Sequence, residues 1–200
     1  YFVSLGDDLI AQCALSADAE LDPLVAPTVS VAPGSGARHL VLSHDQRSAY
    51  LMTEFTGEAI RFERDATTGE LTVAESVAAH ATDRGLSVSE YGADPQADHL
   101  IWAADLHLVD GEHFLVCSER TESTLATVAL DAEGHLGEVV AITGTEAQPR
   151  GFNVTPDGRH LVVAGEGSGH VALYRVEQDG SLEQLNRAES GKGANWVRFA

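Results

Sequence analysis

Residues 148–164 read Gln-Pro-Arg-Gly-Phe-Asn-Val-Thr-Pro-Asp-Gly-Arg-His-Leu-Val-Val-Ala, and this stretch decides the fold. Arg150-Gly-Phe-Asn-Val reads as a strand, Thr155-Pro-Asp-Gly as a turn, and His160-Leu-Val-Val-Ala as a second, apolar strand. Pro156 presets φ for the first corner of a turn, Asp157 brings a side-chain acceptor, and Gly158 accepts positive φ. The product is a hairpin with an arginine at its leading end.

The hairpin recurs. Arg38-His-Leu-Val-Leu-Ser-His-Asp-Gln-Arg-Ser-Ala-Tyr-Leu-Met is a second copy and Asp105-Leu-His-Leu-Val-Asp-Gly-Glu-His-Phe-Leu-Val-Cys a third. A third strand follows each copy, at 58–64, 124–130 and 170–176. An acidic glycine turn comes next, and a fourth strand closes the unit near 72–77, 138–142 and 183–188. Four short strands at a period of about 45 residues are the mark of β-propeller blades. The expected class is therefore all-β, a propeller of four-stranded antiparallel blades. Residues 34–78, 104–146 and 147–190 each form a blade, residues 1–33 part of one, and residues 191–200 the first strand of a closing blade. Residues 79–103, rich in Asp, Ser, Ala and Gly, read as a long functional loop over one face. No apolar 3.6-residue period outlasts a turn or two, so no helix is expected. About four blades' worth is present, which fits a piece of a larger ring.

The net charge is −19, and Lys192 is the only lysine. Such a field repels phosphate backbones, which argues against nucleic acid and anionic membrane as partners. No apolar run approaches the ~18 residues of a membrane span. Cys13 and Cys117 stand far apart without a metal-ligand spacing, and are expected as free thiols in a reducing cytoplasm. The first residue is Tyr1 rather than an initiator methionine, so the chain is expected to begin inside a longer protein.

In a propeller the innermost strands line the central channel. Charged residues at their leading ends therefore converge: Arg38, His39, Asp105, His107 and Arg150, with Trp196 on the tail. A second layer lies where the second strands end: Glu54, Arg120 and Glu166. Guanidinium forks match carboxylate and phosphate, so three arginines at repeat positions suggest an anion pocket, or else ion pairs that hold blades together. Glu54 is a candidate general base for water or a partner of Arg38 or Arg120. His39 and His107 are candidate acid–base groups. His107 and His113 fall on two strands of one hairpin without a third ligand, so no metal site is expected.

At these residues the chain resembles a family. Gly36-Ala-Arg-His-Leu-Val-Leu, Trp102-Ala-Ala-Asp-Leu-His, Cys117-Ser-Glu-Arg-Thr and Gln148-Pro-Arg-Gly-Phe-Asn-Val are similar to motifs of the propeller-type 6-phosphogluconolactonases, relatives of the fungal carboxymuconate lactonizing enzyme. The resemblance implies a seven-bladed ring of which this is the C-terminal portion. It implies hydrolysis of 6-phospho-glucono-1,5-lactone, a small anionic sugar lactone, without metal or cofactor, in the oxidative pentose phosphate route. It places Arg38, Arg120, Arg150 and Glu54 in the cleft. With the residues that converge on the channel, the catalytic candidates are Glu54, Arg120, Arg150 and His107, and the substrate-binding ones Arg38, His39, Asp105 and Trp196. A cleft histidine of the family's preceding blade has no counterpart here. Competing expectations are another sugar-lactone hydrolase, a cycloisomerase, or a non-catalytic propeller fragment that associates with itself through open blade edges.

Overall fold

The computed structural model describes residues 1–199, which build four antiparallel sheets in chain order. The first holds β1 (Phe2–Ser4), β2 (Leu9–Leu15) and β3 (Leu21–Ser30). The second holds β4 (Ala37–Leu42), β5 (Ser48–Thr53), β6 (Glu58–Arg64) and β7 (Leu71–Ala78). The third holds β8 (Ala103–Val109), β9 (Phe114–Glu119), β10 (Thr124–Leu130) and β11 (Leu136–Gly144), and the fourth β12 (Pro149–Val154), β13 (His160–Gly165), β14 (His170–Val176) and β15 (Leu182–Glu189). Every strand pairs with its neighbour in sequence, so each sheet is a meander and a propeller blade.

The turn chemistry acts locally as read. The Gly158 amide donates to the Thr155 carbonyl at 2.8 Å, and Gly158 has φ of +73°. The Asp157 carboxylate accepts from the Thr155 hydroxyl at 2.5 Å and from the Arg159 amide at 3.0 Å.

Alternation along the second strands builds the core between the sheets. β5 and β9 are buried at every position, because each lies between two other sheets. Leu51 faces the first sheet and packs with Ile10 and Phe62, whereas Tyr50 and Met52 face the third sheet and join Leu106, Leu115 and Cys117. Val116, between Leu115 and Cys117, faces the fourth sheet with Phe152, Leu161 and Val163. Successive strand side chains point to opposite faces, so one strand serves two interfaces. Burial falls away outward: β15 is exposed apart from Leu182.

Three expectations need correction. Residues 79–103 are not wholly irregular, since Pro95–Asp98 form one helical turn and Thr82–Arg84 a 3₁₀ turn. Asp94 caps that helix by accepting from the Ala97 amide, and Pro95 stands where a missing N–H costs nothing. The tail, expected as a strand, forms none in residues 190–199. It still runs beside β12: the Val197 carbonyl accepts from Asn153 Nδ2 at 3.1 Å, and the Asn195 carbonyl leaves no room for a Cβ on Gly151. His113 also lies between the 3₁₀ turn Asp110–Glu112 and β9 rather than pairing across from His107, whose partner is Val116.

Gly36 leads into β4 with φ of +73°, and a Cβ there meets the Phe55 ring at 2.6 Å. Gly36→Ala is expected to cost about 1–2 kcal/mol from the left-handed backbone alone, read as a lower urea midpoint; an unchanged midpoint contradicts this account of the turn.

Candidate active site

All three inner strands of the four-stranded sheets break register at their leading ends. In β4, Ala37 pairs with Thr53 and His39 with Met52, which leaves Arg38 as the extra residue. In β12, Pro149 pairs with Gly165 and Gly151 with Ala164, which leaves Arg150 extra. In β8 the shift falls between Ala103 and Leu106, around Ala104 and Asp105. A bulge bends its strand and re-aims a side chain. The same irregularity, repeated, is what presents the charged residues.

A second repeated contact brings the other layer beneath them. The Glu54, Arg120 and Glu166 amides donate to the Gly36, Trp102 and Gln148 carbonyls at 2.7, 3.0 and 3.1 Å. Equivalent positions thus carry Glu, Arg and Glu. Arg38 Nη1 donates to Glu54 Oε2 at 2.6 Å and Arg120 Nη2 lies 3.0 Å from Glu54 Oε1. The guanidiniums are also anchored to backbone: Arg38 Nε to the Ala104 carbonyl at 2.8 Å, Arg120 Nε to Trp102 at 3.1 Å and Arg120 Nη2 to Ala103 at 3.0 Å. Arg120 is 1% exposed. Burial pushes its guanidinium down to about 10; Glu54 opposes that shift, and Arg38 and Arg150 add to it. It remains a cation at neutral pH. Arg150 is different, 42% exposed at the side chain and paired only loosely with Glu166 at 3.7 Å.

Trp102, which sequence reasoning left in a loop, completes the cluster. Its ring lies 3.9 Å beneath the Arg120 guanidinium carbon, a cation–π contact. Its Nε1 donates to Glu54 Oε1 at 3.1 Å. Both oxygens of Glu54 therefore have partners: two guanidiniums and an indole. Of the two roles expected for Glu54, general base or partner of Arg38 or Arg120, the structure shows the ion pairing, with both arginines. The loop reaches over the cluster, and a cavity of about 270 Å³ lies between Arg38, Glu54 and Trp102 on one side and Ser89, Tyr91 and Pro95 on the other. Gln96 Nε2 ties the loop helix to the Arg120 and Thr121 carbonyls at 3.4 and 3.3 Å.

Deeper in the channel, Asp105 joins three blades. Its Oδ1 lies 2.8 Å from His39 Nδ1 on β4 and accepts from the Leu106 amide at 3.0 Å. Its Oδ2 accepts from the Phe152 amide on β12 at 3.1 Å and lies 3.4 Å from His107 Nε2. Burial pushes this carboxyl up, but the bonds from His107 and His39 outweigh it and hold it well below the usual carboxylate range. His107 stacks edge-on against Phe152 at 4.8 Å between ring centres. Arg38, His39, Asp105, His107, Phe152 and Trp196 share the wall of a cavity of about 580 Å³. Trp196 itself is largely exposed.

Sheets arranged as blades, with charged side chains converging from their inner strands, define a propeller with a candidate site at those strand ends. Residues 1–199 match the family model described as lactonase, 7-bladed beta-propeller. The chain belongs to that family. It is 32% identical over 194 residues to the 6-phosphogluconolactonase of Serratia proteamaculans, covering 96% of this chain and 55% of that protein. It is 31% identical to the 6-phosphogluconolactonase of Yersinia enterocolitica, covering 96% of this chain and 54% of that one. A solved protein from Lactobacillus plantarum superposes with a TM-score of 0.83 at 27% identity, over 98% of this chain and 53% of that one. The periplasmic gluconolactonase of Pseudomonas aeruginosa does so with a TM-score of 0.76 at 28% identity, over 94% of this chain and 50% of that one. The chain thus spans about half the length of the relatives it matches. Among the described residues, no helix is long and apolar enough to cross a membrane.

Trp102→Phe keeps a ring beneath Arg120 and removes the bond to Glu54. The expected loss is about 1–2 kcal/mol of stability, with a larger loss for Trp102→Ala; an unchanged urea midpoint in Trp102→Phe contradicts a separate role for the indole N–H. Asp105 generates a pH prediction. A depressed folded value means its stabilisation is complete above the unfolded value of about 3.9 and lost as pH falls through the folded one. Asp105→Asn is expected to lower stability at pH 7 and to flatten the acid limb below about pH 4. An unaltered acid limb in unfolding titrations contradicts it.

Proposed function

We propose that the native protein hydrolyses a phosphorylated sugar lactone, with 6-phospho-glucono-1,5-lactone as the substrate that its relatives' names suggest. One observation carries this reading: three arginines cluster at the ends of the inner and second strands, and among the described residues the Arg150 side chain has one loose ion pair and keeps its donors largely unspent. Three clustered arginines in a chain of net charge −19 are suited to an anionic ligand.

Roles follow from exposure. Arg120 is walled off behind Glu54 and Trp102, so it acts as a positioning residue that holds Glu54, which in turn holds Arg38. Arg38 spends Nε and Nη1 on the protein; among the described residues Nη2 has no hydrogen-bond partner. That group is suited to the carbonyl oxygen as it gains charge, and preorganised donors of this kind account for much of the rate in acyl transfer. Arg150, the open guanidinium, takes the phosphate. The lactone is already an activated ester, so orientation and charge stabilisation supply most of what its opening needs. The loop over Glu54 and Arg38 narrows access to the reacting centre. Cys13 and Cys117 are free thiols, which supports a reducing, cytoplasmic compartment.

A second reading, an unphosphorylated lactone as substrate, has the Pseudomonas gluconolactonase in its favour. Turnover of the two lactones by the native protein separates them. Arg150→Ala is expected to lower kcat/KM for the phosphorylated lactone at least 10²-fold, with a much smaller effect on the unphosphorylated one. Near-normal activity on the phosphorylated lactone overturns the role given to Arg150.

A further inference from the structure

We infer that His39 accepts the proton from the attacking water and that Asp105 sets the ring for this task. The inference rests on the lactone-hydrolysis reading and names the proton acceptor that this reading lacks. Four observations carry it.

The first is the tautomer. An ionised carboxylate only accepts, so the 2.8 Å contact between His39 Nδ1 and Asp105 Oδ1 puts a proton on Nδ1 and leaves the Nε2 lone pair available. Asp105 is held well below the usual carboxylate range by its histidines, which favours this assignment. The second is rigidity. Asp105 is 7% exposed, and the Leu106 and Phe152 amides fix its oxygens at 3.0 and 3.1 Å. An imidazole oriented by a buried, hydrogen-bonded carboxylate is the arrangement that general-base catalysis uses.

The third is access. The His39 side chain is 36% exposed and shares the wall of the 580 Å³ cavity with Arg38, its neighbour on β4. Among the described residues Nε2 has no hydrogen-bond partner. The fourth is elimination among the groups of this chain. Glu54 has both oxygens engaged by Arg38, Arg120 and Trp102. His107 turns Nε2 toward Asp105 at 3.4 Å and packs against Phe152.

The step balances without a co-reactant. Water oxygen forms a bond to the lactone carbonyl carbon while one water proton passes to His39 Nε2. The tetrahedral oxyanion, held by arginine, reforms the carbonyl as the bond from carbon to the ring oxygen breaks. The ring oxygen takes the proton back from Nε2 and leaves as a hydroxyl. The product is the hydroxy acid, which loses its carboxylic proton to solvent, and His39 is neutral again. Asp105 remains ionised throughout and is a positioning residue.

The test uses the native protein with the phosphorylated lactone, corrected for spontaneous opening. His39→Ala is expected to lower kcat at least 10²-fold with KM within about threefold, and added imidazole to restore at least tenfold of the loss. Imidazole does not restore a site lost through misfolding. His39→Asn preserves a donor to Asp105 and lacks the basic nitrogen, so it is expected to fold with an unchanged Tm and to share the kcat loss. Asp105→Asn is expected to lower kcat at least tenfold, less than His39→Ala. A His39→Asn protein that keeps its kcat overturns the inference, and so does a His39→Ala protein whose loss imidazole cannot restore. A wild-type protein that opens no lactone overturns the functional reading itself, which tells the two failures apart.

Discussion

Glu54 lies between two guanidiniums, and the site is arranged around that ion triad. Arg38 comes from the bulge in β4, Glu54 from the end of β5, and Arg120 from just beyond β9 in the next blade. Taking such charges out of water is costly, and their attraction offsets the cost only when the remaining donors are satisfied. Here backbone carbonyls and the Trp102 indole satisfy them. Removing one partner strands the others, and buried pairs broken in this way lose about 3–5 kcal/mol. The triad therefore fixes two neighbouring blades at one relative setting. It also fixes where the free donors of Arg38 can point.

Repetition explains how such a site is made. A regular blade offers the same three positions at each inner strand: a carbonyl before the bulge, a bulged residue, and an amide at the end of the second strand. Arg38 and Arg150 occupy the second, and Glu54, Arg120 and Glu166 occupy the third. Swapping Glu for Arg at one of the three turns a ring of like charges into an interlocked set. Asp105 does the same one layer down, where a single carboxylate reaches a histidine on β4 and an amide on β12.

Much of this was legible in the chain itself. The Thr155-Pro-Asp-Gly turn and the alternation around it predicted the hairpin, and the period predicted blades, because both depend on local backbone chemistry. The bulged arginines were legible as charges at strand starts. What escaped depends on distance. Trp102 lies in a segment of loop-like composition, and its value comes from Arg120, eighteen residues later and brought over it by β8 and β9. Glu54 read either as a base or as a partner of Arg38 or Arg120, because those partners belong to other strands. His39 and Asp105 stand 66 residues apart, and only adjacent inner strands make them a pair. The tail read as a strand from its apolar pattern, yet the geometry beside Gly151 leaves it unpaired in residues 190–199.

The central claim is that the cationic channel mouth accelerates lactone opening. The most direct measurement is the initial rate at which 6-phospho-glucono-1,5-lactone opens in the presence of the native protein, followed by NMR and corrected for the spontaneous reaction. The account predicts a saturable acceleration that inorganic phosphate inhibits competitively. A rate equal to the spontaneous one at saturating lactone contradicts it.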